Sequence, residues 1–444
     1  MSRRPSDGSP GTRRLLCASF NQDTTSLAVG SKDGYKLFSL SSVDTLDCIH
    51  HGNDMSDVYI VERLFSSSLV VVVSRTMPQR MNIYHFKKGT EICNYCYSSN
   101  ILAVRLNRQR LVVCLEESLY IHNIKDMKLL KSLLSTPTNH KGLCALSINH
   151  SNSYLAYPGS SSMGDIIVYD TNSLSHVVEI SAHDSPLAAL SFNTSGTMLT
   201  SASEKGTVIR VFTVPDGLRL FEFRRGMKRY VSISSLSFSA DGQYLCASSN
   251  TETVHVFKLE NHSEESPTWS SYVGKVFSAA STYLPTPVSD MMHQDRAFAT
   301  VHLNMFGLKN MCALAIIQKL LRLLIASSDG HLYIYNVDPQ EGEECVLVKK
   351  HRLLEMDEKK PLLAKESIEG QSYAATVAAT ALATSFVQGY SEDGGARKGE
   401  VIPEHELAAG PVSLDDEQEF PPMTSRSGQK SGHTLSFNAF SLFS

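Results

Sequence analysis

The chain has 444 residues, 42% of them hydrophobic and 19% charged, with a formal net charge of −4. Such a composition supports an ordinary buried core and excludes a protein built around a strong positive field for nucleic acid. The longest apolar run, Leu69–Val73, is far too short to span a bilayer as a helix, so any membrane contact is expected to be peripheral.

The net charge hides an asymmetry. Residues 351–444 carry 8 Lys and Arg against 14 Asp and Glu, or −6, which leaves 33 basic and 31 acidic residues, or +2, on residues 1–350. A basic patch on the body is therefore local rather than part of a global field. The nine cysteines are odd in number and scattered among apolar residues, which suits reduced thiols. Cys93-x-x-Cys96 has no second pair at zinc spacing, and no metal or cofactor is expected.

In chain order, residues 1–12 read as disordered, and Met1–Arg14 lacks the apolar stretch of a signal peptide. A recurring unit follows: an apolar residue, a short polar turn, an apolar strand ending in small residues, then a second strand. Phe20, Phe65, Leu106, Ile148, Phe192, Phe238 and Ile317 open the units, at spacings of 45, 41, 42, 44, 46 and 79 residues. Short strands recurring at such a period predict an all-β fold, a seven-bladed β-propeller over residues 13–350.

Units two and three carry a basic cluster of His85, Lys87, Lys88, Arg105, Arg108, Arg110, Lys125 and Lys128. A solvated rim is as good a reading of it as a partner-binding surface. Unit five ends in Phe223-Arg224-Arg225-Gly226, within a window from Phe221 to Tyr230 that holds four cationic residues and one acid. If both arginines continue a strand, they point to opposite sides, so each looks into a different space. Guanidinium is permanently charged and binds two oxygens in one plane, which suits phosphate, and Gly226 removes a Cβ where something could approach the backbone. Aligned on their final Val-Phe, the strands of units five and six place Arg210 and His255 at equivalent positions, each preceded by hydroxyl residues. Hydroxyls together with guanidinium suit a sugar-like ring bearing phosphate.

The spacing of 79 contains an insertion in blade six, residues 261–296, before a strand expected at Ala297–Leu303. Trp269, Tyr272, Val273, Val276 and Phe277, followed by Ala280, Tyr283 and Leu284, form a helical stripe with little charge opposite. Such a segment suits a lipid interface; the other reading is a helix packed on the rim. Residues 351–444 read as a disordered acidic tail, with a short binding segment at Ile402–Phe420.

Across all seven units the chain resembles the PROPPINs, the phosphoinositide-binding propellers, and within them the WIPI proteins. The residues that carry the likeness are FRRG at 223–226, SASEKGTVIRVF at 201–212, SSNTETVHVF at 248–257, RLNRQRLVVCLEES at 105–118 and TYLP at 282–285. The resemblance implies two rim sites for phosphatidylinositol 3-phosphate and phosphatidylinositol 3,5-bisphosphate. Ser201, Ser203, Gly206, Thr207, Arg210 and Arg224 would form the first, with His183 at its border. Arg225, Ser249, Thr253 and His255 would form the second. It also implies that His85, Lys88, Arg108, Lys125 and Lys128 hold acidic or mixed segments of autophagy proteins, of the conjugation-scaffold and lipid-transfer kinds. Lys125 stands where a close relative would have Arg, which weakens bidentate contact there. The implied place of action is the cytoplasm, peripherally on phagophore, preautophagosomal and endosomal membranes. Against this stands a propeller scaffold without lipid binding. An enzyme is disfavoured, because no nucleophile elbow, Gly-rich phosphate loop or paired-carboxylate motif of any specificity is present.

Overall fold

A computed structural model describes residues 15–226, 230–260, 297–303 and 307–354, together with the backbone of Ile402–Pro403. The described strands form seven sheets, each built on four antiparallel strands, the blades of a β-propeller; Glu343–Glu344 adds in parallel to the edge of blade six and Ile402–Pro403 adds antiparallel to the edge of blade two. Among the described residues there is no α-helix, and no helix long and apolar enough to cross a membrane.

Each sequence unit marks the middle hairpin of one blade. In blade two that hairpin is Leu69–Ser74 with Arg80–His85, and in blade five Met198–Ser203 with Val208–Thr213. Middle strands are sandwiched between neighbouring blades, so both faces are apolar. Val70, Val71, Val72 and Val73 are wholly buried, worth about 1.5–3 kcal/mol each against exposure. Outer strands meet solvent and carry the polar residues, as in Val346–Arg352 of blade seven. The cores lie between blades: Phe223 and Ile209 of blade five share one with Val231, Leu245 and Phe257 of blade six.

The ring closes without strand exchange. Blade one (Leu15–Gly52) is built from four consecutive strands, and blade seven from Asn310–Ile317, Leu320–Ser327, His331–Asn336 and Val346–Arg352, while Glu343–Glu344, between the last two, pairs with Ala299–His302 of blade six. Their join is a side-chain core that includes Leu27, Val29, Leu324 and Ile334. His351 adds a tie, its Nε2–H donating to the Val43 carbonyl at 2.7 Å. On the channel side, Glu62 of blade two accepts from Ser19 of blade one at 2.7 Å and from Arg105 of blade three at 3.2 Å. Arg105 in turn donates to the Cys144 carbonyl before blade four at 3.2 Å.

Three expected boundaries move. Position 350 falls inside the last strand, and Leu353 and Leu354 are buried beyond it, so the ring runs to 354. The strand after the blade-six insertion is Ala299–His302, narrower than expected. Its partner is Thr253–Lys258, with Val256 opposite Ala299, so the strands on either side of residues 261–296 are paired with each other. The tail expected to lack structure departs from that at Ile402–Pro403, which pair with the outer strand of blade two.

Candidate functional site

The outer strand of blade five is Arg219–Arg224, with Val208 opposite Arg224 and Arg210 opposite Glu222. Arg225 extends the ladder by one bond, its N–H donating to the Thr207 carbonyl at 3.0 Å. Successive side chains on such a strand alternate between faces. Phe223 decides which face is which. It is 1% exposed and stacks on Phe257 of blade six at a centroid distance of 4.8 Å. Replacing a ring buried like this by alanine costs about 3–5 kcal/mol, so the parity of the strand is firmly held. Arg225 shares the parity of Phe223 and looks toward blade six. Arg224 shares the parity of Glu222 and looks toward blade four.

On the blade-four side, His183 Nε2 and Ser201 Oγ are hydrogen-bonded at 2.9 Å. Ser201 and Ser203 are buried in the middle strand. Arg210 forms the wall: its Nε donates to Glu222 at 2.8 Å and its Nη1 to the Ala182 carbonyl at 2.6 Å. Arg219 reaches the same Glu222 oxygen at 2.9 Å. Arg224 differs, with no hydrogen bond or ion pair among the described residues and a buried, unpartnered Nε. A buried N–H of a cation left unpaired is costly, and an anion would satisfy it.

On the blade-six side, Arg225 Nη2 donates to Thr251 Oγ1 and, at 3.3 Å, to Thr253 Oγ1. A chain of contacts continues from it: Ser249 to Thr251 at 2.8 Å, Thr251 to Thr253 at 3.3 Å and Thr253 to His255 Nε2 at 3.2 Å. Thr251 belongs to this cluster and was missed among the expected site residues. The alternation of 249, 251, 253 and 255 is the signal that places it there.

The two glycines play different parts. Gly206 sits at φ +62°, and a Cβ there would lie 2.0 Å from the Val231 carbonyl, so close packing on blade six explains it without a ligand. Around Gly226 nothing among the described residues lies within 4 Å of where a Cβ would be.

The two notches thus hold hydroxyls, neutral imidazoles and one inward guanidinium each. Burial pushes His183 and His255 down to about 4, helped by Arg210 beside the first and Arg225 beside the second. Both rings are therefore hydrogen-bonding partners rather than cations near neutrality. Such walls fit a ligand carrying both phosphate and hydroxyl groups.

The PROPPIN family model matches residues 14–354. The chain belongs to the PROPPIN family. It is 66% identical over 444 residues to the human WD repeat domain phosphoinositide-interacting protein 1, covering 98% of this chain and 99% of that one. It is 56% identical over 430 residues to the chicken WD repeat domain phosphoinositide-interacting protein 2, covering 94% and 98%. Autophagy-related protein 18 of Caenorhabditis elegans is 41% identical over 371 residues, covering 80% and 89%. Among solved structures, Kluyveromyces lactis Hsv2 matches at TM-score 0.61 and 22% identity over 77% of this chain and 100% of that one, a likeness of fold. KlAtg21 in complex with the coiled-coil of AgAtg16 matches at TM-score 0.60 and 25% identity, over 77% and 99%.

The basic cluster of this PROPPIN is smaller than its sequence suggests. Arg105 turns into the channel to Glu62, and Arg110 donates to the Thr171 carbonyl at 2.9 Å, toward blade four. Both leave the rim of blades two and three. Strand parity and turn position send them elsewhere, which a count of charges along the chain does not register. Arg108 stays, its guanidinium 4.3 Å from the centroid of the Phe65 ring in blade two. Lys87 and Lys88 lie in the turn after His85, and Lys125 and Lys128 in the matching turn of blade three. Trp269, Tyr272, Val273, Val276 and Phe277 lie outside the described residues.

The histidines set an acid response. His122, buried against Tyr97 and Met127, is held down to about 4 by burial, like His183 and His255. In the unfolded chain each protonates near its ordinary value of about 6.5. Between those values the unfolded state binds more protons, so their contribution, full above about 6.5, is lost as pH falls toward 4. The melting temperature is expected to drop across that window, and less steeply for His122→Asn; an equally steep fall in the variant would contradict this assignment.

Proposed function

We propose that this protein is a non-catalytic effector that reads phosphatidylinositol 3-phosphate, and its 3,5-bisphosphate relative, on membranes that form autophagosomes, and brings autophagy proteins there. The observation that carries the reading is the pair of arginines on opposite faces of one outer strand, each beside its own set of hydroxyls and a neutral histidine. The names of the relatives, phosphoinositide-interacting for the vertebrate proteins and autophagy-related for the nematode one, support it. Ser201, Ser203, Thr207 and Arg224 would bind a headgroup on the blade-four side, with Arg210 and His183 as walls. Arg225, Thr251, Thr253, His255 and Ser249 would bind a second on the blade-six side. The place of action would be the cytoplasmic face of phagophore, preautophagosomal and endosomal membranes. Vesicle flotation with and without 3-phosphorylated inositide tests this: the protein floats only with the lipid, and equal flotation without it would leave the scaffold reading.

The insertion at 261–296 would be the second half of membrane binding. In sequence it joins the Thr253–Lys258 strand, which carries His255, to its partner strand Ala299–His302. Two headgroup notches and an inserting segment on one edge would reinforce one another through effective concentration. Trp269→Ser with Phe277→Ser is expected to lower vesicle retention about tenfold or more, given ~25 cal/mol per Å² of apolar area, while soluble inositol phosphate still binds. Loss of the soluble ligand as well would favour a helix packed on the rim. Arg108, with His85, Lys88, Lys125 and Lys128, would hold the acidic partner; KlAtg21, a relative in fold, is seen with a coiled-coil of AgAtg16.

A further inference from the structure

One segment of the tail is paired with the ring. Ile402 and Pro403 lie antiparallel to the outer strand of blade two, Thr90–Cys96, with Ile402 opposite Cys96 and Pro403 opposite Tyr95. The outer strand of a blade offers an unpaired row of N–H and C=O groups, which an extended segment can satisfy. A proline suits the outermost position, since it offers no N–H for a further strand.

The direction of pairing matters more than its length. Antiparallel pairing directs the Ile402–Pro403 strand along blade two toward Thr90 and the turn that carries Lys87 and Lys88. Tyr95, opposite Pro403, donates its hydroxyl to the Met127 carbonyl at 2.7 Å, inside the blade-three turn that carries Lys125 and Lys128. The paired strand therefore lies one side chain from the second basic turn. The sequence that follows is Glu404, His405, Glu406 and then Asp415, Asp416, Glu417 and Glu419, with no Lys or Arg from 401 to 420. An acidic segment thus follows in sequence a strand directed along the rim that carries two basic turns.

We propose that residues 401–420 are an intramolecular occupant of the rim between blades two and three. Ile402–Pro403 add as an edge strand, the acids after them meet the lysines of the two turns, and the tail competes there with external acidic peptides. The competition rests on the reading of this rim as a partner surface; the docked strand does not.

Opposed residues on antiparallel strands have Cα atoms about 4.5–5.5 Å apart, within disulfide reach. Ile402→Cys in the full-length chain is therefore expected to form a bridge to Cys96 under mild oxidation, mapped by mass spectrometry. Val412→Cys is expected to form none to Cys96, and Cys96→Ser to abolish the bridge. A labelled synthetic peptide of residues 401–420 then reports whether the rim is open. The bridged chain is expected to bind it at least tenfold more weakly than the same chain after reduction. Unbridged Glu404→Lys with Glu406→Lys is expected to bind it at least tenfold more tightly than the unaltered chain. Absence of the 402–96 bridge would overturn the proposal. A bridge that leaves peptide binding unchanged would overturn the competition. Adding Arg108→Glu to the released chain should remove peptide binding; if it does not, the partner reading of the rim falls while the bridge still reports the docked strand.

Discussion

Alanine at both Arg224 and Arg225 abolishes flotation with vesicles containing 3-phosphorylated inositides; that is the expected result with the largest effect on function. Hydrogen bonds to a charged group contribute about 1.5–3 kcal/mol each, so losing one guanidinium from each notch costs roughly 3–6 kcal/mol, or 10²–10⁴ in affinity. Each single variant keeps one notch and loses the gain from binding two lipids at once, so it should lie between. The fold should survive. Neither guanidinium fills a core, and the aromatic stack that holds the strand belongs to Phe223 and Phe257. Arg225 gives up its bonds to Thr251 and Thr253, a modest loss at a site part-open to solvent. Binding that persists in the double variant, with an unchanged melting temperature, would remove the membrane-reading proposal.

Gly206→Ala should unfold the protein several degrees early, whereas Gly226→Ala should not. Both glycines were expected at the site from sequence, and only the structure separates them. An alanine at φ +62° costs about 1–2 kcal/mol from the left-handed backbone alone. Its Cβ would also meet the Val231 carbonyl at 2.0 Å, and backbone on backbone leaves no side chain free to move aside. A total of about 2–4 kcal/mol is expected by thermal or urea denaturation. At Gly226 the backbone is not left-handed and no described residue lies within 4 Å of a Cβ, so Ala should change stability by less than about 0.5 kcal/mol. A loss of vesicle binding in Gly226→Ala would then report a ligand needing that space. Equal stability loss in both variants would show that the close approach to Val231 is not what demands glycine.

Much of this was legible along the chain because it depends on local pattern. The middle hairpins of the blades announce themselves, since a strand buried on both faces must read like Leu69-Val-Val-Val-Val73. Outer strands such as Val346–Arg352 are exposed and carry little signal, which is why position 350 was set inside one. The opposite parity of Arg224 and Arg225 follows from strand geometry alone. Thr251 was visible in the same alternation that marked Thr253 and His255. The fates of Arg105, Arg108 and Arg110 were not, because three arginines within six residues look alike until a carboxylate, a ring and a carbonyl are brought to them from other blades. The same holds for Arg210, whose bonds to Glu222 and the Ala182 carbonyl are not legible in the pattern.

The amino-acid order by itself determined seven repeating hairpins, a pair of guanidiniums aimed in opposite directions and the positions of an insertion and an acidic tail, because period, parity and composition are properties of neighbouring residues. Tertiary structure alone decided that Phe223 turns Arg225 toward blade six and leaves Arg224 beside blade four with no partner among the described residues, that the ring closes on side chains between blades one and seven, and that Ile402–Pro403 meet blade two. Each of those outcomes depends on contacts between residues far apart in the chain, and such contacts exist only once the ring has closed.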